Sequence, residues 1–330
     1  MNKKRNLFVL FMAIMLMAVG CSSGVSESAP GNSTTVSDNG SSQPITIKHL
    51  RGETTLDKPA ERVVVLEWAF AENLIALGIQ PIGNADNQQY KIWEPAEAAL
   101  DDNVTDIGLR NEPNLETIAS LKPDLIISNA DNNAAIYDQL NAIAPTIEFN
   151  QFPDQGDQYT EMVHIFESTA AAVGKTDKAK QVLSELEQHY VDAKEKLSKA
   201  GKEGSNYVLT QAFTVQNAAA LRLFTDNSIV VQTLDRIGLK SDWKSSKFEK
   251  YGFTDATVEA LPAVTNTNFI YIVENTDNVF ENQLKDNTVW NGLNFVKEKR
   301  AHMLDASTWT FGGPISSKVL VDRVVQVFTQ

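Results

Sequence analysis

At 330 residues, with 42% hydrophobic and 22% charged side chains, the chain has a globular composition and is long enough for two domains with separate cores. Its formal charge is −13, and removing the first twenty residues takes away Lys3, Lys4 and Arg5 and leaves −16. A field of that sign opposes nucleic acid and any broad basic-patch mechanism, and an anionic ligand would need a local cluster of arginine or lysine.

In chain order, Lys3-Lys4-Arg5 followed by an apolar run over residues 7–19 reads as a signal peptide over residues 1–20, because the run is short for a membrane span. Ala18-Val19-Gly20-Cys21 resembles a bacterial lipobox, in which the cysteine is acylated and becomes the mature N-terminus, although Ala18 stands where leucine is usual. Cys21 is the sole cysteine, which excludes an intrachain disulfide and a cysteine-based metal site. These features predict an exported chain, lipid-anchored through Cys21 (by a palmitate-type chain) on the extracellular face of the cell membrane. Residues 21–44, rich in Ser, Gly, Asn and Thr, read as a flexible tether.

Ile45-Thr-Ile-Lys-His and Thr54-Thr-Leu, separated by Arg51-Gly52-Glu53, predict a small hairpin. Arg62-Val63-Val64-Val65-Leu66 is a continuous apolar run of the kind buried on both faces of a parallel sheet. A helix over 72–77 closed by Gly78, a short strand at Gln80-Pro-Ile-Gly, strands at 125–128 and 146–149, and a helix over 133–143 give the alternation of an α/β lobe. Helical periodicity follows over 159–172 and again over 177–199. In the second of these Ala179, Val182, Leu183, Leu186, Tyr190, Ala193 and Leu197 form one apolar stripe. At about 1.5 Å per residue that helix is roughly 34 Å long, which predicts a rigid spine between two halves. Tyr207-Val-Leu-Thr opens the second half, with further elements at 229–237, 269–273 and 319–328. The expected division is therefore an amino-terminal α/β lobe over 45–175, a linking helix over 176–200 and a carboxy-terminal α/β lobe over 201–330.

A worn internal repeat supports two similar lobes. Leu115-Glu116 opens a helical segment that leads through Pro123-Asp124 into Leu125-Ile126-Ile127, and Val258-Glu259 leads likewise into Phe269-Ile270-Tyr271. Leu125 is followed fifteen residues on by Leu140, and Phe269 fifteen residues on by Leu284. Two copies make a pair of lobes rather than a solenoid.

Candidate chemistry is sparse. His49, His164, His189 and His302 show no paired metal-ligand spacing, and no nucleophile elbow, P-loop or dinucleotide fingerprint is present. No direct metal ligand, catalytic residue or cofactor is therefore assigned. Arginine placement stands out instead, with eight arginines against twenty-one lysines. Arg110 lies in the turn-rich Gly108-Leu-Arg-Asn-Glu-Pro, and Arg222 in Ala220-Leu-Arg-Leu-Phe at the matching place of the second half. A guanidinium grips a carboxylate with two parallel hydrogen bonds, so one arginine from each lobe suits a polycarboxylate clamp. Each alone also suits an ordinary salt bridge. Trp68, Tyr90, Trp93 and Trp309 fall in comparable loops, where they would line a cleft or pack in the core. Trp309-Thr310-Phe311-Gly312-Gly313-Pro314 opens the last helix with free backbone N–H groups that would hold an anion.

Val63-Val-Val-Leu-Glu-Trp, Leu77-Gly-Ile-Gln-Pro-Ile-Gly, Glu112-Pro-Asn-Leu-Glu-Thr-Ile, Leu121-Lys-Pro-Asp-Leu-Ile-Ile and Thr308-Trp-Thr-Phe-Gly-Gly-Pro resemble the iron-siderophore substrate-binding lipoproteins of ABC importers, the helical-backbone solute receptors. The resemblance runs from about residue 45 to 328. Leu66-Glu-Trp, Gly108-Leu-Arg-Asn-Glu-Pro, Leu209-Thr-Gln-Ala-Phe and Leu221-Arg-Leu-Phe-Thr-Asp-Asn are most similar to the ferric-citrate-binding members from Gram-positive bacteria. It implies two α/β lobes joined by one long helix (the class III periplasmic-binding-protein architecture), small lobe movement on binding, and a monomer. It implies an ABC permease as partner, docked by surface glutamates at the places of Glu116 and Glu259. It implies a ferric citrate-like chelate as ligand, held by Arg110 and Arg222 and lined by Trp68, Tyr90, Trp93 and Trp309, the iron staying wrapped in its chelator. Another ferric siderophore (catecholate or hydroxamate), haem or cobalamin, an anchored extracellular hydrolase and an adhesive surface lipoprotein are the competing readings.

Overall fold

The computed structural model describes residues 44–330; the signal-like segment, Cys21 and nearly all of the tether lie outside the described residues. Two α/β lobes, each built on its own sheet, are joined by a long helix. Among the described residues no helix is long and apolar enough to cross a membrane.

The amino-terminal sheet is wholly parallel. Its order is Thr105–Asp106, Gly83–Asn84, Val63–Val65, Leu125–Asn129 and Thr146–Phe149. Val63–Val65 and Leu125–Asn129 are buried along their whole length, as their unbroken apolar runs require of strands covered on both faces. The second strand begins at Gly83 rather than at Gln80, because Pro81 has no N–H to give a ladder. The expected hairpin forms from Ile45–His49 and Gly52–Leu56.

In the carboxy-terminal sheet the order is Phe253–Ala256, Ala218–Phe224, Asn206–Val215, Asn268–Val273 and Ala301–Asp305, with Lys240–Ser241 also paired to Asn206–Val215. The first three strands are antiparallel and the last two continue the sheet in parallel. The long hairpin between Val215 and Ala218 turns on Gln216 (φ 48°) and Asn217 (φ 68°), both left-handed, the geometry that matches strand twist in a two-residue turn. Arg222 therefore sits inside a strand, not in a loop.

The linking helix, Thr176–Lys199, buries Ala179, Leu186, Tyr190, Ala193 and Leu197, while Val182 and Leu183 are partly covered. Against this stripe packs the last helix, Pro314–Thr329, which also touches the first helix, Trp68–Ala76. The chain's last element thus crosses back over the linker onto the amino-terminal lobe. Gly312 and Gly313 make this docking possible. A Cβ on Gly312 would lie 2.2 Å from Oε2 of Glu72, and one on Gly313 would lie 2.5 Å from Oδ1 of Asn73.

Candidate functional site

The carboxyl ends of the amino-terminal strands open onto a cleft of about 660 Å³, within the range usual for small-molecule sites. Glu67 follows the strand Val63–Val65, Asp86 follows Gly83–Asn84, and Asn129 ends Leu125–Asn129; all three line it. Arg222, Phe253 and Asp255 face it from the opposite sheet, and Trp309 and Phe311 close it from the segment before the last helix.

Arg110 is carried at the tip of a miniature hairpin, Gly108–Leu109 paired with Glu112–Pro113. Gly108 has φ +93°, and a Cβ there would meet Glu112 O at 3.1 Å and Asn114 N at 3.2 Å, so the turn needs glycine. The guanidinium lies 3.8 Å above the Trp68 ring and donates from Nη1 to Glu67 Oε1 at 2.9 Å. Glu67, only 4% exposed, is fully occupied. Its Oε1 also accepts from the backbone N–H of Trp68 at 3.0 Å, and its Oε2 from Nδ2 of Asn129 and of Asn132, each at 3.3 Å.

Arg222 is held differently. It donates from Nη1 to Gln211 Oε1 at 3.2 Å, lies between Phe213 and Phe253 (4.9 and 4.7 Å to the ring centres), and has no partner on its buried Nε. Burial pushes its pKa below the ordinary arginine value, Asp255 on the neighbouring strand opposes this, and the charge of Arg110 across the cleft adds to the lowering. The two arginines are therefore electrostatically within reach of each other. At the mouth, Lys250 Nζ reaches Asp131 Oδ1 at 2.7 Å, an ion pair between the two lobes. Hydrogen bonding to Asp131 is the main reason the Lys250 pKa is raised.

Of the aromatic candidates, Trp309 lines the cleft, and Trp68, Tyr90 and Trp93 stand behind it. Trp68 is covered by Arg110 on one face and spends its Nε1 on Ala85 O at 3.0 Å. Tyr90 is buried edge-on to Trp68, and its hydroxyl donates to Ala98 O at 2.7 Å. Trp93, partly buried, packs 6.3 Å from Trp309. They support the wall rather than face the cavity: Trp68 opens the helix Trp68–Ala76, and Tyr90 and Trp93 lie in the helix Asn87–Trp93, not in the loops expected, so their rings pack inward.

The anion expected at the start of the last helix is supplied from within. The Glu72 carboxylate accepts from Gly313 N at 2.8 Å, from Ser316 N at 2.8 Å and from Ser316 Oγ at 2.7 Å. Glu94, equally buried, lies 3.4 Å from the same Ser316 Oγ and has no partner on Oε1. The Ser316 hydroxyl thus lies between two carboxylates, donating at the shorter distance to Glu72 and at the longer to Glu94. Burial pushes both acids up, Glu94 well above the ordinary carboxylate value with the charges of Glu72 and Glu67 adding to it, and Glu72 less because the helix N–H groups favour its anion.

Glu116 and Glu259 are exposed. Glu116 lies in the first turn of Leu115–Ser120, capped by Asn114 Oδ1, which accepts from Thr117 N at 2.9 Å. Glu259 lies in a 3-10 segment, Val258–Val264, with the Thr257 hydroxyl donating to its carboxylate, which lowers its pKa. Glu67, Asn129, Asn132, Asp131, Asp255 and Lys250 were not singled out by sequence; only Glu67 carried a signal, as an acid directly after a fully buried strand.

Residues 63–308 match the family model described as periplasmic binding protein. The chain is 32% identical over 328 residues to the Fe(3+)-citrate-binding protein YfmC of Bacillus subtilis, covering 99% of this chain and 98% of that one. It is 32% identical over 337 residues to the probable siderophore-binding lipoprotein YfiY of the same organism, covering 98% and 97%. Among solved structures, the siderophore-binding protein FhuD from Vibrio cholerae, bound to Fe3+–Desferal, superposes with a TM-score of 0.74 at 27% identity, over 82% of this chain and 98% of that one.

Proposed function

The chain belongs to the periplasmic binding protein family, a binding protein and not an enzyme, and from that premise we propose that it is the ferric-siderophore receptor of an ABC importer whose preferred ligand is a carboxylate chelate of the ferric citrate type. The observation that carries this reading is the pair Arg110 and Arg222, one from each lobe, facing each other across a cleft in an otherwise acidic chain. Guanidinium groups recognise carboxylates held in fixed positions on a metal, and the chelator's own ligands keep the iron away from protein atoms. The likeness to YfmC supports the citrate-type ligand; the likeness to the Desferal-bound FhuD favours a ferric hydroxamate as the second reading.

In this reading the receptor works as a monomer outside the cell, held at the membrane by a lipid on Cys21, and delivers its cargo to the permease through Glu116 and Glu259. The experiment is a calorimetric titration of the full-length chain in detergent with ferric citrate, iron-free citrate, a ferric hydroxamate and a ferric catecholate. Saturable sub-micromolar binding of ferric citrate, with weaker binding of the others, is the expected result. A preference for another chelate overturns the ligand; absence of binding across the panel overturns the receptor.

A further inference from the structure

The two arginines of the cleft are not electrically equivalent. Arg110 is in a 2.9 Å ion pair with Glu67, a carboxylate that is 4% exposed and whose both oxygens are hydrogen-bonded. The ion pair offsets much of the Arg110 charge, although part of it still reaches Arg222 across the cleft. What Arg110 has left to offer is its unused N–H groups, rigidly aimed by the Trp68 face below. Arg222 has no ion-pair partner among the described residues, and it donates a hydrogen bond to the uncharged amide oxygen of Gln211. It is mostly buried, and its buried Nε has no acceptor. Asp255 on the neighbouring strand offsets its charge only at a distance, from an exposed position and without an ion pair, so a ligand anion in direct contact would relieve the remaining cost of burying the guanidinium.

The rest of the lining adds no positive surplus. Asp131 is neutralised by Lys250, while Asp86 and Asp255 remain as negative charges facing the cleft. A chelate with several exposed carboxylates would therefore find one arginine free for charge pairing, not two.

We propose that Arg222 takes the single anionic group of the chelate, that Arg110 serves uncharged oxygen acceptors, and that Glu67 is the residue that sets this division by offsetting the Arg110 charge. Glu67 is a positioning residue: it acts through Arg110, Asn129 and Asn132. Within the citrate-type reading this implies a ferric chelate of low net negative charge, with one free carboxylate presented to the carboxy-terminal lobe and iron-bound, charge-neutralised oxygens presented to the amino-terminal lobe. The inference rests on the ferric-siderophore receptor reading and specifies which charges its ligand carries.

The test is calorimetry on the full-length chain in detergent with two probes, ferric citrate (anionic) and ferrichrome (a neutral ferric trihydroxamate). Arg222→Gln is expected to weaken ferric citrate about 100-fold and Arg110→Gln only about tenfold, because an unneutralised buried charge contributes more to an anion than a paired one. On ferrichrome the order reverses, with Arg110→Gln the more damaging. Glu67→Gln, which removes the charge and keeps the shape, is expected to tighten ferric citrate about tenfold and leave ferrichrome no tighter. Equal losses from the two arginine variants on ferric citrate, or weaker ferric citrate binding by a folded Glu67→Gln, would overturn the division of labour. If Glu67→Gln fails to melt cooperatively, the crossover between the two arginine variants decides alone. Failure of the unmodified chain to bind either chelate would overturn the receptor reading and this inference with it, whereas binding without the crossover overturns this inference only.

Discussion

The Glu72 carboxylate receives both the backbone N–H and the hydroxyl of Ser316, a residue 244 positions further along the chain. This contact ties the first helix of one lobe to the N-terminus of the last helix, where the unpaired N–H groups favour negative charge. Glu72→Ala would leave two backbone donors buried and unsatisfied and the Ser316 hydroxyl with only the longer contact to Glu94, and it is expected to destabilise the fold by about 2–5 kcal/mol. Urea unfolding followed by far-ultraviolet circular dichroism measures this; a loss below about 0.5 kcal/mol would show that water replaces the carboxylate without difficulty.

Glu94 gives the fold a pH dependence of definite sign. Its pKa is raised on folding, so the native state binds the proton more tightly than the unfolded chain does. That stabilisation is complete below the unfolded value of 4.5 and is lost as pH rises through the higher folded value. Glu72, also raised, contributes with the same sign. Glu94→Gln keeps the side-chain volume and removes the titration. Its melting temperature should match that of the unmodified chain near pH 4 and exceed it increasingly toward pH 8. Parallel melting curves across that range would mean that Glu94 is solvated when charged.

How much of this was readable beforehand depends on the kind of residue. The strands around Val63–Val65 and Leu125–Asn129 were legible because a strand buried on both faces needs an unbroken apolar run, and no helix of that length would. The linking helix was legible from its single stripe. The hairpin carrying Arg222 was not, because its turn uses Gln216 and Asn217 in place of the glycine that usually announces a left-handed turn. Residue type and rough location led to Arg110, Arg222 and Trp309, which line the cleft, although Arg222 does so from inside a strand and not from a loop. They could not tell which way Trp68 and Tyr90 point, since that depends on Ala85 O and Ala98 O as acceptors. The role of Glu67 and the internal use of the Gly313–Ser316 donors are long-range pairings that no local pattern encodes.

The Lys250–Asp131 ion pair across the mouth is half open to solvent, with 37% and 15% of the side chains exposed. Pairs of this kind contribute about 0.2–1 kcal/mol, so Asp131→Asn should speed dissociation of a bound ferric chelate by at most about fivefold. Stopped-flow chase experiments read this directly, and the effect should shrink in 0.5 M salt, to a Debye length of about 4–5 Å. A change of fiftyfold or more would place Asp131 in direct contact with the ligand instead.

Glu116 and Glu259 are free to meet a partner, and neither is used by the fold beyond its own first turn. Glu116→Ala combined with Glu259→Ala should leave melting temperature and chelate affinity unchanged, because lost helix-end charge costs only about 0.3–1 kcal/mol each. Transport in cells carrying the double variant should fall at least tenfold if these carboxylates dock the permease. Intact uptake would remove them from that role.

The last helix lies across the linking helix and is pinned to the opposite lobe through Glu72, so a hinge motion that widened the cleft would have to break three buried hydrogen bonds. The receptor therefore behaves less like jaws that shut on a catch than like a gauge with a preset gap. Chelates are sorted by whether they fit, little conformational entropy is lost on capture, and the work of prising the cargo loose falls to whatever machine the receptor hands it to.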